Sequence, residues 1–217
     1  MRLVDLSQPV APGMPVFPGD PEVTAQPALD VVRDGCAVTA WRLGSHSGTH
    51  VDAPSHVVPG GADLDALELG LFTGPAVVVD ARGAGPGERI GWRRLAGPGG
   101  RVEGLRPGVV VLVRTGWDAR WGGASYAEQP WLDVEVAERL VEAGVRTLGV
   151  DALSPDATGS TDLAVHHAVL GAGGVLAENL RGLGAVQAMA RPRVALLPLR
   201  LAGGDGAPVR AVAWDEG

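Results

Sequence analysis

Gly44-Ser45-His46-Ser47-Gly48-Thr49-His50-Val51-Asp52-Ala53-Pro54-Ser55-His56-Val57-Val58-Pro59-Gly60-Gly61 holds three of the chain's five histidines, with Asp52 between the last two of them. A chain this poor in histidine that gathers three of them beside a carboxylate is building a site. If His50 to Asp52 is extended, the two-residue period of a strand puts both side chains on one face. His46 reaches the same point from the preceding turn, where Ser47-Gly48 lets the backbone bend sharply. Imidazole and carboxylate together suit Zn, Mn or Fe, and the lack of a nearby thiolate argues against a structural cysteine-type zinc site.

Outward from that stretch, composition narrows the field. A length of 217 residues fits one domain able to bury most of its apolar surface. The net charge of -7 makes a nucleic-acid surface a poor expectation. All 18 basic residues are arginines, so Schiff-base and pyridoxal-lysine chemistry is excluded. The single cysteine, Cys36, permits no internal disulfide and is expected as a small core residue. Met1-Arg2-Leu3-Val4-Asp5-Leu6 opens no secretory leader, and no apolar run approaches the roughly 20 residues of a membrane span. The expectation is a soluble, cytoplasmic protein.

Along the chain, residues 3–6 read as a short strand, and the Pro/Gly-rich segment 9–21, with Phe17, as a loop that can lean over a pocket. Residues 37–43 read as a strand entering the histidine stretch, and 63–69 as a short helix. The unbroken apolar runs 76–81 and 109–114 have the pattern of strands buried on both faces. Between them, 83–108 reads as loop with one short helix near Trp92. Asp133 caps a helix over 134–143 stopped by Gly144, and 145–150 follows as a strand ending at Asp151. Residues 163–170 read as a helix carrying His166 and His167, and 175–177 lead into Glu178. Two late strands, 194–201 and 209–214, are read as joined by a hairpin-like turn at Gly203-Gly204-Asp205-Gly206. Helix-then-strand units give an α/β fold in a single domain spanning 1–217.

Other chemistries fail on the residues. Gly44-Ser45-His46-Ser47-Gly48 has the glycines of a nucleophile elbow with histidine at its centre. Gly83-Ala84-Gly85-Pro86-Gly87 lacks the last glycine of a dinucleotide fingerprint, and a lysine-free chain has no phosphate-binding loop of the usual kind.

His46-Ser47-Gly48-Thr49-His50-Val51-Asp52-Ala53-Pro54-Ser55-His56 matches, at every fixed position, the signature His-x-Gly-Thr/Ala-His-x-Asp-Ala-Pro-x-His. On it the chain resembles the metal-dependent cyclase family, whose best-known members are bacterial kynurenine formamidases. The likeness extends through Phe17-Pro18-Gly19-Asp20, Gly149-Val150-Asp151 with Ser154 and Asp156, the His166 segment, Glu178-Asn179-Leu180 and Pro208-Val209-Arg210-Ala211. It implies a swivelling β/β/α-type domain with a mixed or barrel-like sheet flanked by helices, usually as a homodimer or larger. It also implies that His46, His50 and Asp52 are metal ligands. His166 and Glu178 would complete a second metal position that Asp52 bridges, and His56 would be the catalytic acid/base. The role of His167 stays open.

The implied activity is hydrolysis of a small aryl amide, N-formylkynurenine above all. A metal-activated hydroxide would be the nucleophile, with zinc as the expected ion and manganese as its alternative. An aryl substrate needs an apolar wall, for which Phe17 is a candidate. Thr49 stands where formamidases often carry alanine. Three rivals remain: an isatin-hydrolase-like manganese enzyme opening a cyclic amide, a lactone hydrolase or cyclase of secondary metabolism, and a metal-binding protein without catalysis. The last has no need of a protonatable group such as His56 outside its ligands.

Overall fold

The uninterrupted apolar runs become the centre of the sheet. In a computed structural model, which describes residues 3–97, 102 and 105–217, the chain opens with β1 (Leu3–Asp5), β2 (Thr24–Leu29), α1 (Val31–Asp34), β3 (Val38–Arg42) and β4 (His50–Asp52). Next come β5 (Thr73–Asp80), β6 (Arg89–Ile90), α2 (Trp92–Leu95), β7 (Val110–Arg114), β8 (Trp131–Leu132), α3 (Val134–Glu142) and β9 (Thr147–Val150). The last part holds α4 (Ala164–Gly171), β10 (Val175–Glu178), α5 (Leu183–Gln187), β11 (Pro192–Ala195), β12 (Gly206–Pro208) and β13 (Val212–Asp215).

Nine strands form one mixed sheet in the order β1-β13-β11-β5-β7-β9-β10-β4-β12. Its centre, β5-β7-β9-β10, is parallel, and both flanks are antiparallel. This is the mixed-sheet α/β architecture expected from the sequence. β7 explains why its residues show no polar alternation: Val110 and Leu112 pack into one apolar cluster, Val111 and Val113 into a second on the other face. The α3 cap is as read, with Asp133 accepting from the Glu135 N–H, and Gly144 supplies the left-handed turn into β9 at φ 86°.

Four expectations are corrected. Residues 63–69 form no α-helix: two short 3₁₀ turns, Leu64–Ala66 and Leu69–Phe72, are separated by an extended Leu67, a length at which helix nucleation is not recovered. The late strands do pair antiparallel, β11 with β13, and Pro198 bridges Val209, but their connection is longer than the tight turn read between them. β11 ends at Ala195, and the chain makes an excursion whose segment β12 pairs with β4 at the opposite edge of the sheet before β13 returns to β11. Pro198 and Pro208 lack the N–H groups a continuous ladder needs. Cys36 is exposed, because α1 and β3 belong to an arm that stands clear of the core, with every residue of β3 exposed. The loop read over 83–108 contains β6, which pairs with β8, and the expected helix at Trp92; residues 98–101 and 103–104 of that reading lie outside the described residues. No helix among the described residues is long and apolar enough to cross a membrane.

Candidate metal centre

Strand β4 places the site. Val51 turns into the core and is fully buried, which leaves His50 and Asp52 on the opposite face. Glu178 of β10 sits directly across from His50 in the antiparallel register, so its side chain shares that face. Helix α4 brings His166 over the same point, and the turn before β4 brings His46.

The distances define one cluster. His50 Nε2 lies 3.2 Å from Asp52 Oδ1 and 3.4 Å from Glu178 Oε2. His166 Nε2 lies 3.3 Å from Glu178 Oε1 and 3.7 Å from Asp52 Oδ2. His46 Nδ1 is 2.7 Å from Asp52 Oδ1. Ligand atoms group as His46, His50 and Asp52 on one side and Asp52, His166 and Glu178 on the other, with Asp52 common to both, and a third, less buried group is His46, His56 and Asp205.

Three of these buried atoms, His50 Nε2, Asp52 Oδ2 and Glu178 Oε1, make no hydrogen bond among the described residues. Leaving such groups unpaired in a protein interior costs several kcal/mol, on the order of 1–3 each, unless something satisfies them. The outer nitrogens are already committed. His50 Nδ1 donates to Gly48 O at 2.8 Å, and His166 Nδ1 is 2.6 Å from Asp156 Oδ2. That fixes their lone pairs inward, the arrangement in which histidines ligate metals. The donor set of imidazoles and carboxylates therefore fits a divalent cation.

Charge tells the same story. Burial pushes the His46 and His166 rings down, but the carboxylates beside them reverse this and lift His46 to about 9 and His166 to about 10. Burial alone would raise Asp52, yet His50 and His46 hold it well below the usual carboxylate range. In the cation-free protein these protons balance the buried carboxylates, and a cation takes their place. His56 behaves differently. Burial, helped by the neighbouring His46 and His166, lowers it below the ordinary imidazole value, so it is neutral near pH 7.

A pocket of about 480 Å³, counting its open mouth, lies over the cluster. His56 lines it, as do Phe17, Leu153, Leu163 and Asp20. Leu163 holds a left-handed backbone at φ 41°, a strained conformation for a branched residue, just where it meets the pocket. His167, one position round α4 from His166, is exposed and takes no part in the cluster.

The family model Cyclase, described as "Putative cyclase", matches residues 4–157. The chain belongs to the cyclase family. This chain is 38% identical over 224 residues to a protein named kynurenine formamidase from Salinibacter ruber, covering 99% of this chain and 98% of that one. Among solved structures it superposes on isatin hydrolase A from Ralstonia solanacearum with a TM-score of 0.86 at 26% identity, covering 99% of this chain and 92% of that chain. A structure titled as a potential metal-dependent hydrolase with cyclase activity matches at a TM-score of 0.78 and 25% identity, covering 100% and 98% of the two chains.

Sequence reasoning missed two residues that touch the cluster. Asp156 was noted only as part of the likeness, yet it holds His166 and also accepts from the Val165 and His166 N–H groups at the start of α4. Asp205 was assigned to a turn, yet its Oδ2 lies 3.0 Å from His46 Nε2 and 3.7 Å from His56 Nδ1. The prolines flanking that supposed turn were the available signal that it was no ordinary hairpin. Thr49 faces away from the pocket: its hydroxyl accepts from the Gln8 N–H at 2.8 Å and donates to Asn179 O at 2.6 Å.

Proposed function

We propose that this protein is a metal-dependent hydrolase of the C–N bond of an aryl amide, an arylformamidase that takes N-formylkynurenine to kynurenine and formate. The observation that carries the reading is the set of inward-facing, unpaired atoms on His50, Asp52 and Glu178 beneath a pocket lined by His56. His46, His50 and Asp52 would hold one cation, and His166 and Glu178 a second with Asp52 shared, zinc being the ion and manganese its alternative. Such an ion, when bound, polarises an amide carbonyl and makes a water acidic enough to attack near neutral pH.

The remaining work falls to the chain. Neutral His56 accepts the proton of the attacking water and returns it to the departing amine nitrogen. Phe17, Leu153 and Leu163 seat the aryl ring and keep bulk water from it. Relatives named kynurenine formamidase at 32–38% identity over nearly the whole chain support this choice of substrate. A homodimer or larger assembly belongs to the same reading. The exposed Val31, Val32, Val38 and Trp41 on the β2–β3 arm support it.

One observation favours a second substrate class. Among the described residues no arginine lines the pocket, so no guanidinium there faces a substrate carboxylate. A neutral cyclic aryl amide needs no such cation, and the likeness to isatin hydrolase points the same way.

The test is to strip the protein with chelator, reload it separately with Zn²⁺ and Mn²⁺, and assay both forms on N-formylkynurenine and isatin with metal analysis alongside. Formamide hydrolysis at about two ions per chain supports the first substrate, and ring opening with one manganese supports the second. Neither reaction from a metal-loaded enzyme discards both substrates. His56→Ala is expected to keep its metal and lose most turnover. Full turnover in that variant removes His56 from the mechanism.

A further inference from the structure

We propose that Asp205 is a positioning carboxylate for the metal centre, accepting the Nε2 proton of His46 and so turning His46 Nδ1 inward as the ligand atom. The inference rests on the metal reading above.

A neutral imidazole offers one N–H and one lone pair, and the hydrogen bond made by one nitrogen decides what the other presents. His46 has a carboxylate at each nitrogen: Asp52 Oδ1 at 2.7 Å from Nδ1 and Asp205 Oδ2 at 3.0 Å from Nε2. The two differ in setting. Asp52 is fully buried among the unpaired atoms of His50 and Glu178, where a cation needs lone pairs. The Asp205 side chain is 47% exposed and meets the other nitrogen of the ring, where its Oδ2 accepts the Nε2–H.

The other two imidazoles of the centre show the same plan. His50 gives its outer nitrogen to Gly48 O and His166 gives its own to Asp156. Asp205 supplies the matching partner for His46, so every imidazole of the set has its outer nitrogen held and its inner one turned toward the buried carboxylates. The carboxylate also arrives on fixed backbone. Ala53 N–H donates to Asp205 O at 2.9 Å, Leu64 N–H to Gly204 O at 2.8 Å, and Gly206 pairs with Asp52 in the sheet. Because the same Oδ2 lies 3.7 Å from His56 Nδ1, it also sets the distance between His46 and the proton-moving ring, whose centroids are 4.0 Å apart.

The experiment measures Zn²⁺ affinity by chelator competition in the full chain, in Asp205→Ala and in Asp205→Asn, and records the visible spectrum of each with Co²⁺. Asp205→Ala is expected to weaken binding of one ion by about 10- to 100-fold. Asp205→Asn, which keeps an acceptor oxygen, should lose less. The Co²⁺ spectrum should keep its shape, because the ligand atoms are unchanged. Unaltered affinity in Asp205→Ala overturns the proposal. A changed Co²⁺ spectrum also overturns it, by making Asp205 a ligand. If the unmodified chain binds no ion, the metal reading itself falls and this inference with it. Circular dichroism of the metal-free variants checks folding, and Asp205→Asn carries the comparison if the alanine variant does not fold.

Discussion

Gly206 lies flat against His46: a Cβ at position 206 would come within 2.8 Å of the imidazole Cε1 and 2.9 Å of Val51 O. The ring is seated on bare backbone, and β12 can pair with β4 only while that surface stays bare. Gly206→Ala is expected to cost about 1–3 kcal/mol through overpacking and to weaken metal binding by displacing His46. Thermal melts of the metal-free protein and chelator competition read the two effects. A variant unchanged in both would mean that His46 has room the structure does not give it.

Thr49 bears on the difference from formamidases that carry alanine at this place. Its hydroxyl satisfies two buried backbone groups, Gln8 N–H and Asn179 O, and it is not among the pocket's lining residues. Thr49→Ala is expected to destabilise by about 1–3 kcal/mol and to leave the ratio of activities on open-chain and cyclic amides unaltered. A shift in that ratio would place Thr49 in substrate selection.

Asp156 does two jobs with one carboxylate, closing the start of α4 and holding His166 Nδ1. Asp156→Ala should therefore lower stability by about 0.5–2 kcal/mol, as a lost helix cap does. It should also lower affinity for one metal ion by about 10- to 100-fold. Urea denaturation without metal separates the first effect from the second; loss of only one of them breaks the assignment.

The pH dependence of stability carries a mark from Asp151. Burial outweighs the Thr115 N–H, Thr115 hydroxyl and Gly116 N–H that donate to it, and pushes its carboxyl from 3.8 up to about 6. Between those two values the folded chain keeps a proton that the unfolded chain has released. Stability from this group is therefore fully present below the unfolded value, falls as pH rises toward 6 and is level above it, a change on the order of 3 kcal/mol. Asp151→Asn should remove that slope in urea melts taken from pH 4 to 7. Parallel curves for the two proteins would show that Asp151 ionises normally.

What the sequence made legible followed from how far apart the partners lie along it. His46, His50, Asp52 and His56 fall within a short segment, so strand period and one flexible turn were enough to bring them together. The apolar runs at 76–81 and 109–114 announced central strands because burial on both faces removes any polar alternation. His166 and Glu178 came only through the family likeness, since nothing in their local sequence says that β10 pairs with β4. Asp205 was out of reach. Its place depends on β12 pairing with β4, and local turn chemistry around Gly203-Gly204-Asp205-Gly206 shows only that the chain reverses between two paired strands. Cys36 was misplaced for a related reason: a strand-like run says nothing about whether the strand joins the core or an exposed arm.

Strand β4 is only three residues long, and the strands on both its sides, β10 and β12, come from the last quarter of the chain. During synthesis the histidine segment therefore leaves the ribosome early and waits, without its neighbours, while most of the remaining protein is made. Its pairing on both edges is complete only when β10 and then Gly206–Pro208 have been made. Capture of an ion by the full set of ligands would thus be a late event in the life of each molecule, and its retention would report that the two distant ends of the sequence have found each other.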